Sequence, residues 1–304
     1  MTVPRSLSNA PDCTLECLKH QAPWSWPPAL YFGPKHPSTL MAEWYAERYH
    51  RVSNPQLEWG RRVLRRLAPQ PGERILDIGC GTGRLTAELV SELGEGTVVA
   101  VDRSETMLRE ASAQAANLPV RVCFVRADGA SLPFVDAFDA VLSTATFHWI
   151  LDHTQLFSSI YRALAPGGRL VAQCGGGANL GRLLDRAGAL VSSSALSRHF
   201  RGWRGPWEFA DVPTTIGRLD QAGFTAIDVF LEPAPATFDD RASFREFVAC
   251  VCLKDHLTRI PESDRASFLD TLADQAEADS PPFTLDYWRL NLAGTKPAGI
   301  EQAA

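Results

Sequence analysis

The stretch Ile75-Leu76-Asp77-Ile78-Gly79-Cys80-Gly81-Thr82-Gly83 limits what this chain can fold into more than any other. It opens inside an apolar run, Arg74 to Ile78, that reads as a buried strand. It closes where a helical pattern starts, at Arg84-Leu85-Thr86-Ala87-Glu88-Leu89-Val90. Between the two, glycines alternate with other residues. Glycine has no side chain and tolerates positive φ, so the backbone can turn sharply and let a ligand come close. The helix start behind the turn presents N–H groups that have no partner within the helix. In an open α/β sheet, ligands collect at the carboxyl ends of the strands, which is where this turn lies. Spacing then selects the ligand. A dinucleotide turn, G-x-G-x-x-G, places its last glycine five residues after the first, whereas Gly83 follows Gly79 by four. A tight turn without a ligand is the plain alternative.

The chain around this stretch alternates strand and helix patterns. Strands are expected at Arg74–Ile78, Thr97–Asp102, Val120–Val125, Phe138–Ser143 and Arg169–Gln173. The helices between them span Arg84–Leu93, Glu105–Ala116 (capped by Ser104) and His153–Leu164 (capped by Asp152), and Ala165-Pro166-Gly167-Gly168 turns into the last strand. Such alternation predicts an α/β, Rossmann-like, doubly wound sheet that is mainly parallel. Asn54-Pro55 starts a helix that runs to Leu67 and buries Leu57, Val63 and Leu64. After Gly175-Gly176-Gly177 the alternation stops. Helices are expected within 178–210, at Thr214–Ala222, at Arg241–Leu257 and at Glu262–Ala278. A strand is expected at Thr225–Leu231, and an alternating strand, Phe283 to Leu292, closes the fold. Residues 1–40 hold seven of the 21 prolines and show no apolar period, so they read as a disordered leader. Pattern begins at Met41, the expected natural start, with a short aromatic helix carrying Trp44 and Tyr45. Residues 41–304 then form a single domain, with a ligand-binding core at 70–175 and helical insertions at 178–210 and 238–280.

Composition removes several classes of function. With 304 residues, 45% of them hydrophobic, the chain can bury a large core. The formal net charge is −5 and no long basic run exists, so no nucleic-acid partner is expected. No apolar run reaches the roughly 20 residues that span a bilayer, and no secretory signal opens the chain, so a cytoplasmic protein without a membrane partner is expected. The 7 cysteines, including Cys13 and Cys17 near His20 and the Cys250-x-Cys252 pair, read as unpaired thiols rather than as disulfides or metal ligands, and no metal is expected. Nothing in the residues assigns an oligomeric state.

Two acidic residues complete a constellation. Asp102 ends the second strand, where a carboxylate can accept hydrogen bonds from both ribose hydroxyls of an adenosine. Asp128 ends the third, followed by Gly129-Ala130, where a carboxylate and a backbone N–H can read an adenine; an ordinary turn-forming Asp is the alternative. Together Asp77-x-Gly79-x-Gly81-x-Gly83, Asp102, Asp128 and the Ala-Pro-Gly-Gly turn resemble class I S-adenosylmethionine (SAM) methyltransferases over residues 75–168, which sets a dehydrogenase aside. The Phe147-His148-Trp149-Ile150 run and the closing strand further resemble trans-aconitate methyltransferase-like enzymes over most of residues 41–298. The resemblance implies a seven-stranded class I methyltransferase sheet with helical lid insertions, and SAM as donor with S-adenosylhomocysteine (SAH) as product. It also implies that Asp77, Gly79, Cys80, Gly81 and Gly83 surround the methionine part. Asp102 would hold the ribose, Arg103 and Met107 would flank the adenine, and Asp128, Gly129 and Ala130 would read it. Ser143 and Thr144 would lie beside the sulfonium.

The implied function is methyl transfer to a small-molecule acceptor, on the oxygen of a carboxylate or hydroxyl. An acyl-carrier, quinone or natural-product acceptor, or SAM binding without turnover, are the other readings. The segment Ser143–Trp149 lacks the Asp/Asn-Pro-Pro-aromatic pattern of amino-methylating DNA enzymes. A sulfonium methyl is already electrophilic, so the protein mainly positions the acceptor. A carboxylate needs no base; a hydroxyl does, and His148 is the candidate base, with a pocket-lining role as its alternative. Trp44, Tyr45, Trp59 and Trp149, with His148, are the candidate substrate-side residues. Arg201, Arg204, Lys254, His256 and Arg259 are the cations available to an acidic substrate.

Overall fold

Buried strands alternating with amphipathic helices build one large sheet in the computed structural model, which describes residues 30–32, 54–115, 122–193 and 195–299. In chain order the elements are β1 (Leu30–Phe32), α1 (Asn54–Leu67), β2 (Arg74–Ile78), α2 (Arg84–Leu93), β3 (Thr97–Asp102), α3 (Glu105–Ala115), β4 (Val122–Arg126), β5 (Phe138–Thr144), α4 (His153–Ala163) and β6 (Leu164–Gly175). There follow α5 (Gly181–Ser192), α6 (Val212–Ala222), β7 (Thr225–Pro233), β8 (Ala236–Thr237), α7 (Arg241–Phe247), α8 (Lys254–Arg259), α9 (Glu262–Glu277), β9 (Thr284–Leu285) and β10 (Trp288–Thr295).

The sheet order is β1-β4-β3-β2-β5-β6-β10-β7. From β4 across to β6 neighbours run parallel; β10 is antiparallel to both β6 and β7. The expected seven-stranded, mainly parallel, doubly wound sheet is therefore present. β1 adds a short parallel strand beside β4, inside the Pro-rich segment where composition predicts no regular structure. The chain winds outward from β2 through β3 to β4, then returns to the other side of β2 at β5. That reversal is a topological switch point, and the glycine turn stands at it.

Strand alternation sorts the core into two layers. Leu76 and Ile78 of β2 pack with Leu156, Phe157 and Ile160 of α4 on one face. Ile75 packs with Val63, Leu64 and Leu67 of α1 and with Leu89 and Val90 of α2 on the other. Full burial of such side chains stabilises by roughly 1.5–3 kcal/mol each, before entropy is charged. A third cluster belongs to the helices after β6. Leu183, Phe244, Phe247, Phe268 and Leu272 pack together with Trp59 and Tyr287. Arg186 of α5 binds Asp279, just past α9, through both guanidinium nitrogens at 2.8 and 2.6 Å, tying this cap together.

Three expected boundaries shift. The Ala165–Gly168 turn lies within β6 as a bulge: Phe138 pairs with Leu164, and the next pairing is Ala140 with Arg169. Gly167 takes a φ of 81° there and donates to the Lys296 carbonyl at 3.0 Å. The closing strand is two strands, β9 paired with β8 and β10 in the main sheet, because Asp286 between them bonds back to α5. The expected helix Arg241–Leu257 breaks at a π turn, Val248–Cys252, closed by Leu253 N–H donating to Val248 O at 2.7 Å.

Candidate active site

The glycine turn needs its glycines for different reasons. A Cβ at Gly79 would stand 2.0 Å from Thr146 Oγ1, and φ is 75°. A Cβ at Gly83 would meet Ala111 Cβ and Cα at 3.0 and 3.1 Å, so this glycine lets α2 start against α3. A Cβ at Gly81 would meet nothing within 4 Å, because it would project into an open cleft. The turn's own amides are already engaged. Gly79 and Cys80 donate to Val101 O at 2.7 and 3.1 Å, and Gly83 donates to Cys80 O at 3.0 Å. Gly81 donates to Asp102 Oδ2 at 3.0 Å. A turn with room and spent donors suits a ligand that brings no phosphate to it.

That cleft encloses about 760 Å³ counted out to its mouth. Gly79, Gly81, Asp102, Arg103, Met107, Asp128, Gly129 and Thr144 line it, together with Ala127, Ala145, Thr146 and Trp149. Asp102 Oδ1 accepts the Ser104 N–H at 2.8 Å. Asp102 so lines the cleft at the end of β3, where a carboxylate can meet a ribose. The residues therefore fit an adenosine whose other end carries no pyrophosphate, as SAM does.

Several expected residues stand behind the cleft. Asp77 is buried and its Oδ2 accepts from Thr86 Oγ1 of α2 at 2.7 Å. Burial raises its carboxyl to about 6, against the Thr86 hydrogen bond, with the Asp102 charge adding to the rise. The Cys80 thiol is pushed well above its usual value by burial. Ser143 Oγ donates to Ile78 O at 2.8 Å and so pins β5 to β2. The Ala130 N–H, expected to face an adenine, instead donates to Asp128 Oδ1 at 2.9 Å as the cap of a short 3-10 turn. These four, with Gly83, shape the cleft without lining it.

A second cavity, about 400 Å³ counted the same way, adjoins the first and shares Ala145 and Trp149 with it. Ala145 sits at a φ of 53°, a conformation unusual for a residue with a Cβ, and donates to Gln173 O at 2.8 Å. His148 is buried here between Trp149 and Phe209, with ring centroids 5.3 and 5.8 Å away. Its Nδ1 accepts the Gly175 N–H at 3.2 Å. Burial first, then the charges of Arg289 and His153, hold it well below the usual imidazole range. A neutral ring whose Nδ1 accepts must carry its proton on Nε2. A ring protonated at Nε2 offers a donor to the cavity that it lines, whereas the expected base for a hydroxyl acceptor would need that nitrogen free.

Arg289 of β10 closes the cavity on the far side, only 2% exposed. Its Nε donates to Gln173 Oε1 at 3.3 Å, and its guanidinium lies 4.5 Å from the Trp59 ring centroid. Trp59 thus supports Arg289 from behind and lines neither cavity. Trp44 and Tyr45 lie outside the described residues. None of Arg201, Arg204, Lys254, His256 and Arg259 lines either cavity. His256, instead, packs between Trp203 and Trp207, with ring centroids at 4.5 and 5.5 Å. Burial lowers it to about 4, so it carries no charge at neutral pH. Residue patterns missed Arg289, Gln56, Asn179 and Phe209; a charged residue inside an apolar strand was the available signal for the first. Among the described residues no cluster could hold a metal ion, and no helix is long and apolar enough to cross a membrane.

Comparison with known proteins agrees with this geometry. A family described as a methyltransferase domain matches residues 75–168. The trans-aconitate 2-methyltransferase of Methylobacterium radiotolerans is 29% identical over 255 residues, covering 80% of this chain and 92% of that protein. Its counterpart in Variovorax paradoxus is 30% identical over 241 residues, covering 75% and 87%. Among solved structures, YcgJ of Bacillus subtilis superposes with a TM-score of 0.57 at 19% identity, over 80% of this chain and 100% of that one. Phosphoethanolamine N-methyltransferase 2 of Haemonchus contortus, solved with SAH, gives 0.56 at 22% identity, over 83% of this chain and 57% of its own.

Proposed function

This chain belongs to the trans-aconitate methyltransferase-like family of class I SAM-dependent methyltransferases, and on that premise we propose that its acceptor is a small carboxylic acid, methylated on oxygen. SAM occupies the cleft of Gly79, Gly81, Asp102, Met107 and Asp128, and the acid occupies the cavity of His148 and Arg289. Held there, SAM would supply an electrophilic methyl group for a carboxylate oxygen, its S–C bond breaking onto sulfur, so that a neutral ester and SAH would result with no proton released. Asp102 orients the ribose. Trp149 and Ala145 form the wall across which the reacting atoms meet. Held about 3–3.5 Å apart and aligned, such atoms react with little further help.

The observation that carries this reading is the Gly175 N–H donated to Nδ1 of the buried His148 ring. A hydroxyl acceptor must lose a proton to a base, and the His148 Nε2 already bears one. An ionised carboxylate has no proton to lose and accepts a hydrogen bond from the same N–H. The test is a turnover screen with SAM over carboxylic acids, phenols and amines, following SAH release and product mass. The expected product is a methyl ester that alkali returns to the starting acid. An aryl ether or an N-methylamine as the principal product would replace this reading.

A further inference from the structure

Resting on that reading, we infer that the acceptor is a monocarboxylic acid with an aromatic or apolar body, a narrower class than carboxylic acids at large and different from a tricarboxylate. The walls of the second cavity carry the inference. Trp149, Leu180, Trp207, Phe209, Val251 and Tyr287 present rings and aliphatic groups. Trp207 and Phe209 stack on each other at an interplanar angle of 11° and give the cavity a continuous aromatic wall. The same cavity also holds groups suited to a carboxylate. Arg289 and His148 both line the cavity, and Gly175 joins them: its N–H holds His148 Nδ1, and it is the register partner of Arg289 across β6 and β10. A guanidinium and an imidazole N–H that line one cavity suit one carboxylate.

Among the described residues that line this cavity, Arg289 is the sole side chain with a permanent charge. Against this described lining, a tricarboxylate would set its further charges on indole and phenyl rings, where burial of an unpaired charge is strongly unfavourable. Gln56 Oε1 is buried with no hydrogen-bond partner. Its amide offers a neutral polar partner to a polar group on the acid's body.

The experiment compares kcat/KM for trans-cinnamate, 3-phenylpropanoate, trans-aconitate and citrate with the full chain and SAM, identifying esters by mass. The aryl acids should exceed the tricarboxylates at least about tenfold, as one unpaired buried charge requires. Arg289→Gln should raise KM for cinnamate by about ten- to a hundredfold, Arg289→Lys by less, while SAH affinity holds within a few fold. Should Arg289→Gln not fold, the wild-type protein still decides: cinnamate should inhibit competitively and its uncharged amide should not. Faster esterification of trans-aconitate than of the aryl acids overturns the inference and leaves carboxylate methylation standing. Inhibition by the amide equal to that by cinnamate also overturns it. Methylation of phenols or amines with no ester from any acid removes the underlying reading instead.

Discussion

At the scale of single residues, protonation states separate roles that the sequence leaves joined. His148 stays neutral far below its usual range, so turnover should be level between about pH 6 and 8; a base would make it rise with pH through that window. Replacing the donor with another donor, His148→Gln, should leave KM close to wild type, whereas His148→Ala should raise KM by several fold to about tenfold. A pH–rate profile and the KM values of both variants check this. Asp77 makes a prediction of the opposite kind, about stability. Its carboxyl titrates at about 6 rather than the ordinary 3.8, so its charged form is disfavoured in the fold. The penalty is complete above pH 6, shrinks as pH falls through that value, and is gone below 3.8. Its size above pH 7 is on the order of 3 kcal/mol. Asp77→Asn keeps an oxygen for the Thr86 hydroxyl and removes the charge. It should therefore melt several degrees above wild type at pH 8, with the gap narrowing at pH 5, as calorimetry at the two pH values would record.

At the scale of elements, the glycine turn and the strand after it act as one piece, because Thr146 occupies the space that a side chain at Gly79 would need. Gly79→Ala adds a clash with Thr146 to a positive φ, so it should abolish measurable SAH binding and cost on the order of 1–3 kcal/mol in backbone strain alone. Gly81→Ala keeps the strain and meets only open space, so it should weaken SAH more than it weakens the fold. Calorimetric titration of both variants with SAH compares them. These elements were legible in the sequence because glycine spacing and apolar runs state a strand–turn–helix directly, and Arg84–Leu93 and Thr97–Asp102 fall where the pattern puts them. The second cavity was not legible. In β10 the order Arg289-Leu290-Asn291-Leu292 reads as a strand with a wet polar face. In the fold that face is covered, and Arg289 and Asn291 are each 2% exposed. Alternation reveals which residues share a face; it says nothing of what covers that face. The polar residue Gln173, also buried in β6, belongs to the same hidden layer through its hydrogen bond to Asn291 at 2.8 Å.

At the scale of the whole molecule, the sheet and the cap have separate cores, and side chains of both line the second cavity. Phe247 is 1% exposed in the cap and packs edge-on to Tyr287, a wall of the acceptor cavity. Phe247→Ala should cost about 3–5 kcal/mol. It should raise KM for the acid while leaving SAH affinity nearly unchanged, since the cleft is built from the sheet. Denaturant melts and paired titrations measure the two effects. The buried guanidinium of Arg289 has one more consequence, for departure rather than arrival. Methyl transfer to a carboxylate cancels the positive sulfonium against the negative acid, and both products are neutral. Arg289 keeps its charge throughout, in a place with little water to answer it. On the proposed reading the acid brings Arg289 an opposite charge and the ester brings none, so the cation that would capture the acceptor would hold its product less firmly. Release of the ester would then follow from the reaction itself, and weak inhibition by added methyl ester is the expected signature.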